Sequence, residues 1–240
     1  MTKIKERIEK VRANINAACA RAGRDPAEVR LVVVTKSASF EAIEQVIRLG
    51  FNEFGENRAQ QLKKIYVQAE EFLRANSAEP GFVRKINWHM IGHLQRNKVR
   101  QVLPLVTTVH SIDTLRLAEE INADAVKMGI VPDVLLQVNT SQEPQKFGVS
   151  VGAAPHLAEQ IESLPNLRLA GIMTMGPLTH NKDEIRECFV RARELFDEIR
   201  GEKIVGKQFA ELSMGMSSDY EIAVEEGATI LRIGSAIFSG

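Results

Sequence analysis

Two stretches far apart in the chain carry the residue types that do chemistry. The first is Arg30-Leu-Val-Val-Val-Thr-Lys36, an apolar, β-branched run that ends in a lysine. A run that apolar has no solvated face, so it reads as a strand covered on both sides, as in a parallel sheet. Alternation puts Val32, Val34 and Lys36 on one face and Leu31, Val33 and Thr35 on the other. An ammonium at the carboxyl end of such a strand is exposed, paired or used. It has either emerged into solvent, or it is a Schiff-base lysine whose pKa burial lowers from about 10.4.

The second stretch lies near the other end. After an expected seventh strand comes Ser213-Met-Gly-Met-Ser217, and after an expected eighth comes Ile233-Gly-Ser235. Both combine hydroxyls and a glycine with the opening of a helical turn, where free backbone N–H groups suit a phosphate dianion. The ordinary alternative makes Ser217 and Ser218 plain helix caps and Gly234 a tight turn. Between the two loops sits Arg232, a second buried-looking cation. It reads either as the partner of a loop carboxylate or as a donor to a ring nitrogen or ligand anion. A lysine, a phosphate cradle and an arginine between them would together suit pyridoxal 5′-phosphate, whose aldehyde condenses with a lysine amine.

The elements needed to bring these ends together are legible as an alternation. Ile4, Ile8, Val11, Ile15 and Ala18 recur at helical spacing, so residues 3–22 form a helix ahead of the repeat. Strands then read at 30–36, 52–54, 86–91, 107–109, 133–139, 167–174, 209–212 and 229–232, with helical patterns between them. Helix 39–49 turns Ala42, Val46 and Leu49 inward. Ser111 or Asp113 caps the helix that runs to Met128, and Ser218 with Glu221 fits a capping box for helix 218–226. Eight strands alternating with helices, without a break in composition, predict one α/β domain over residues 1–240. That domain is a single (β/α)8 TIM-type barrel with an extra N-terminal helix. A doubly wound open sheet would usually place a glycine-rich turn after the first strand, and Thr35-Lys-Ser-Ala-Ser39 has none.

The totals narrow the class of function. Lys plus Arg equals Asp plus Glu at 31 each, so no global field favours nucleic acid or an anionic membrane. Cys19 and Cys188 lie on separate helical patterns without metal-ligand spacing and read as reduced thiols of a cytoplasmic protein. The first residues lack the apolar core of a signal peptide, and no apolar run approaches the roughly 20 residues that span a bilayer.

Several further stretches extend these two into a pattern. They are Val33-Val-Thr-Lys36, Phe54-Gly-Glu-Asn57, Trp88-His-Met-Ile-Gly-His-Leu-Gln95 with Asn97-Lys98, and His110-Ser-Ile-Asp113. Val138-Asn139 through Lys146-Phe-Gly148, Gly171-Ile-Met-Thr174, Leu212 through Asp219, and Arg232-Ile-Gly-Ser235 with Ile237-Phe238 follow in order. The chain thereby resembles the pyridoxal phosphate homeostasis protein family, related to the barrel domain of bacterial alanine racemase. The resemblance implies pyridoxal 5′-phosphate held covalently on Lys36. It implies a phosphate site at Ser213, Ser217, Gly234 and Ser235, with backbone donors around Met214 and Gly215. Asn57 lies near the cofactor, and Arg232 faces the pyridine nitrogen, keeping it unprotonated and weakening the ring as an electron sink. His89 and Lys146 stand in a second rank, while His93 and the departing loop Met175-Gly176-Pro177 have no role assigned.

The expected function is intracellular balance of vitamin B6 and amino acids, with cofactor held rather than used and PLP-dependent apo-enzymes as acceptors. An amino-acid racemase is the alternative, and a class I aldolase-like barrel a weaker third. Racemisation needs an acid and a base on opposite faces of the substrate carbon. The only tyrosines, Tyr66 and Tyr220, fall in helix patterns, and the chain ends eight residues after Arg232 without a second, β-rich domain. This favours a binding protein, and a monomer.

Overall fold

The computed structural model describes residues 3–239. Eight parallel strands close into a barrel in chain order. They are β1 Arg30–Val34, β2 Glu53–Glu56, β3 Asn87–Met90, β4 Thr108–Ile112, β5 Asp133–Gln137, β6 Arg168–Met173, β7 Glu211–Ser213 and β8 Ile230–Ile233. Closure rests on β1 pairing with both β2 and β8, Val33 opposite Phe54 on one side and Ile233 on the other. The (β/α)8 architecture with a leading helix is therefore as expected.

Around the barrel run α1 Lys3–Ala22, α2 Phe40–Arg48, α3 Ala59–Ala75, α4 Val99–Val102 and α5 Leu115–Met128. They are followed by α6 Ala154–Glu162, α7 Lys182–Gly201, α8 Tyr220–Glu225 and α9 Ser235–Phe238. Among the described residues no helix is long and apolar enough to cross a membrane. Strand alternation sorts the core into two layers: Val32, Leu135, Ala170, Met173 and Ile230 fill the barrel, while Val33, Phe54 and Trp88 face the helices. The leading helix is tied to the end of the chain. Asn14 donates to the Tyr220 hydroxyl at 2.9 Å and Arg24 to the Val224 carbonyl at 2.7 Å.

Several local expectations are corrected. β1 stops at Val34, so Thr35 and Lys36 belong to a turn. β4 runs on to Ile112, which places Ser111 inside the strand, and Thr114 caps α5 by accepting from Leu117 N–H. Helix α2 buries Ile43, Val46 and Ile47, a stripe turned by one residue from the one expected. No capping box forms at α8: the helix starts only at Tyr220, Asp219 turns back to accept from Met216 N–H, and Glu221 faces Asn14 and Arg21.

One glycine sets the register of the wall. The β5–β6 ladder shifts between Val134 and Leu135, and there a Cβ on Gly171 would lie 1.8 Å from the Glu211 carbonyl oxygen. Backbone packed that closely has no room to relax. Gly171→Ala is expected to lower unfolding stability by about 1–3 kcal/mol, measured by urea titration.

Candidate cofactor-binding site

A cavity of about 670 Å³ opens at the carboxyl ends of the strands, where barrels of this type carry their chemistry. Its first wall comes from the ends of β1 and β2, locked together by one buried carboxylate. The Thr35 hydroxyl donates to Glu56 Oε1 at 2.6 Å, and Asn57 N–H donates to Glu56 Oε2 at 3.2 Å. Burial raises the Glu56 pKa, opposed by these two hydrogen bonds. Lys36 and Asn57, one residue past each anchor, both line the cavity. Lys36 is exposed rather than buried, because the chain turns as soon as β1 ends.

The opposite wall comes from the turns after β7 and β8. Ser217, Ser218, Gly234, Ser235 and Ala236 line it. The Ser217 hydroxyl accepts from Gly234 N–H at 3.4 Å and Ala236 N–H at 3.1 Å, while the N–H groups of Ser217, Ser218 and Ser235 enter no backbone hydrogen bond. A Cβ on Gly234 would lie 2.8 Å from the Val34 carbonyl oxygen, so only glycine lets this turn settle onto β1 beside the lysine.

Ser213, Met214 and Gly215 do not reach the cavity. Ser213 closes β7 and, like Met214, is fully buried. Gly215 turns the chain at φ +91°, where a Cβ would meet that of Ala223 at 2.5 Å. The serine-glycine pattern marked the right loop, but its first three residues build the turn and the next three face the cavity.

Arg232 lines the cavity floor and is only 4% exposed. It donates to Ser213 Oγ at 2.6 Å and to the Thr174 carbonyl at 2.8 Å. No carboxylate lies within ion-pair distance of it among the described residues. Burial lowers its pKa to about 10, with the field of Asp219 opposing. A guanidinium carries five N–H donors, and the structure commits two of its nitrogens. A buried cation with donors to spare calls for an anion or an acceptor from outside.

The two second-rank residues are placed elsewhere. His89 is buried inside the barrel between Glu53 (Nε2 to Oε2, 2.7 Å) and His110 (Nδ1 to Nε2, 2.9 Å), and it does not line the cavity. Lys146 turns away to Glu143 and to the Gly176 carbonyl, strapping its loop to Met175-Gly176-Pro177. That gives the departing loop a structural role. A Cβ on Gly176 would also strike Asp219 Oδ2 at 2.7 Å.

Sequence reading left His93 without a role and passed over Gln137, yet both line the cavity. His93 lines it and stacks on Phe147, rings 4.4 Å apart and 17° from parallel, with Asp113 Oδ2 3.8 Å from its Nδ1. Gln137, buried at the end of β5, also lines the cavity and fixes that loop by donating to the Phe147 carbonyl at 3.2 Å. No local pattern distinguishes such residues. A larger groove, about 780 Å³, lies between α1 and α8, but its Arg21 and Arg186 are already paired with Glu225.

The family model for the alanine racemase N-terminal domain matches residues 7–240. The pyridoxal phosphate homeostasis protein of Aquifex aeolicus is 39% identical over 233 residues, covering 97% of this chain and 96% of that protein. The chain belongs to this family. Among solved structures it is similar to PipY of Synechococcus elongatus PCC7942 without PLP, at TM-score 0.84 and 30% identity over 98% of this chain and 100% of that one. PipY with PLP bound superimposes at TM-score 0.79 and 29% identity, with the same coverage. As a member, this chain shares the barrel, and in it Lys36, Ser217, Arg232, Gly234 and Ser235 line one cavity.

His110 gives the site a pH dependence. Burial, with His89, Arg232 and Arg30 nearby, pushes its pKa well below the ordinary 6.5. The unfolded chain therefore takes up a proton near that pH and the folded chain does not. Stability is expected to be full above about pH 6.5 and to fall as pH drops below it. Chemical unfolding at a series of pH values should show this slope, and it should flatten in His110→Gln.

Proposed function

We propose that this protein binds pyridoxal 5′-phosphate at the β-strand carboxyl ends, holds it covalently on Lys36, and serves intracellular vitamin B6 homeostasis. The observation that carries the reading is the buried, carboxylate-free Arg232 facing the same cavity as an exposed lysine and two N–H-rich turns. The residues fit that cofactor by charge and by shape. The bound group supplies an aldehyde that condenses with a primary amine, releasing water.

The chain's own residues divide the task. Lys36, on a turn that Glu56 keeps in place, would hold the aldehyde end. The N–H groups of Ser217, Ser218 and Ser235, with the Ser217 hydroxyl, would hold the phosphate. Asn57 would flank the lysine, and Arg232 would donate to the ring nitrogen. A guanidinium there keeps the nitrogen free of a proton, which weakens the ring as an electron sink and suits storage over carbanion chemistry. The exposure of Lys36 supports transfer to PLP-dependent apo-enzymes, and the unpaired, buried Cys19 and Cys188 support a reducing cytoplasm.

A second reading, amino-acid racemisation, draws on His93. It shares the cavity with Lys36, so two proton carriers face one space.

Wild-type protein supplied with the cofactor is expected to be yellow, and Lys36→Ala to lose the covalent absorbance band; a colourless wild type would end the proposal. Ser217→Ala is expected to weaken cofactor retention by about tenfold with an unchanged fold, the scale of one charge-assisted hydrogen bond. Equilibrium dialysis measures this. Amino acids in deuterated water are expected to exchange their α-proton no faster than with free cofactor. Rapid exchange that disappears in His93→Phe would establish the racemase reading.

A further inference from the structure

A line of polar side chains crosses the inside of the barrel, where a chain of this type normally stacks branched apolar residues. It starts at Glu53, which opens β2 at the amino-terminal end and lines a separate cavity there with Arg12 and Arg30. It ends at Arg232, under the cofactor cavity at the other end. The links are Glu53 Oε2 to His89 Nε2 at 2.7 Å, His89 Nδ1 to His110 Nε2 at 2.9 Å, His110 Nδ1 to Ser213 Oγ at 3.0 Å, and Ser213 Oγ to Arg232 at 2.6 Å. His89, His110 and Ser213 are all essentially excluded from water.

We propose that Glu53, His89, His110 and Ser213 form a one-directional hydrogen-bond relay that positions Arg232 for the cofactor. The relay rests on the cofactor assignment for its purpose, but its proton order follows from the hydrogen-bond geometry once His110 is neutral.

Arginine has no acceptor, so Ser213 Oγ accepts from it. The hydroxyl proton of Ser213 then has His110 Nδ1 as its acceptor. That nitrogen is bare, so a neutral His110 carries its proton on Nε2 and donates to His89 Nδ1. His89 in turn carries its proton on Nε2 and donates to Glu53, whose other carboxylate oxygen accepts from Asn87 Nδ2 at 2.7 Å. Every donor meets one acceptor.

The reverse order fails. If His110 Nδ1 donated, the buried Ser213 hydroxyl hydrogen would have no acceptor, a costly orphan. His89 would then either be cationic or need a protonated Glu53. An ionised Glu53 opposes the second of these, and the first still leaves the Ser213 hydrogen without an acceptor. His110 is kept neutral by its burial, with the Arg232 and Arg30 charges adding to it, the latter already paired with Glu211. Burial works against the ionised Glu53, but hydrogen bonds from His89 and Asn87 outweigh it and draw its pKa below the ordinary value.

The consequence is an arginine whose rotamer is set from the far end of the barrel. The Arg232 guanidinium lacks a carboxylate at contact distance and feels the field of Asp219, while Glu53 anchors the far end of the line that holds it through His89, His110 and Ser213. His110 and Ser213 are thus positioning residues.

The test has two arms. In the full-length protein without cofactor, ¹⁵N-histidine NMR at about pH 8 is expected to show His89 and His110 both as Nε2–H tautomers. An Nδ1–H form of His110, or a doubly protonated ring, would overturn the relay whether or not the cofactor assignment stands. In the second arm, His110→Phe is expected to weaken pyridoxal 5′-phosphate binding by about tenfold and to shift the bound cofactor's absorption maximum. His110→Gln, which can accept from Ser213 and donate to His89, is expected to restore both. Equal loss in the two variants, or wild-type affinity and spectrum in His110→Phe, would reduce the line to core filling. A wild type that binds no cofactor would instead remove the site assignment, leaving the tautomers to judge the proton order.

Discussion

The structure depends on one buried positive charge. Arg232 is out of water, has no carboxylate partner within reach among the described residues, and sits between the two turns that face the cavity. Taking a guanidinium out of water is unfavourable unless its donors are met. Ser213 and the Thr174 carbonyl meet part of that need, and the remaining donors face the cavity's side of the barrel. The polar line behind Ser213 exists in an otherwise apolar barrel because this cation must be oriented.

A second constraint acts at the rim. Glu56 is fully buried, which raises its pKa, yet it ties Thr35 and Asn57 together. This places a flexible, exposed lysine at a fixed starting point. The two walls of the site are therefore built differently. One is a rigid guanidinium inside the barrel, and the other is a lysine free to reach in from solvent. That combination suits a protein that takes up and gives up its ligand.

Close backbone approaches hold both walls to the barrel. Gly234 settles onto Val34, and Gly92 packs against Asn57, where a Cβ would fall 2.1 Å from the carbonyl oxygen. Both are glycines because the space is filled by a neighbouring strand's backbone. The loop carrying Phe147 is likewise secured by Gln137 from inside and by Lys146 from outside. Lys146 serves the frame of the site without touching the cavity.

By itself the sequence determined the barrel, because apolar β-branched runs alternating with helical stripes admit few ways of burying both faces. It also marked Lys36, Arg232 and the two serine-glycine turns, since these are local patterns at strand ends, while Asn57 came only from the family resemblance. Tertiary structure alone decided which residues of those turns face the cavity. Ser213 looked like a phosphate ligand, but strand pleat aims it inward at Arg232 and His110, while Ser218 faces the cavity one turn later. The capping box at Ser218 is absent, since α8 starts only at Tyr220 and Asp219 accepts from Met216 N–H. His89, His110 and Glu53 lie about 100 to 180 residues away from Ser213 and Arg232, and no spacing in the chain records that they touch. A hydrogen-bond line across a barrel exists only once the strands close.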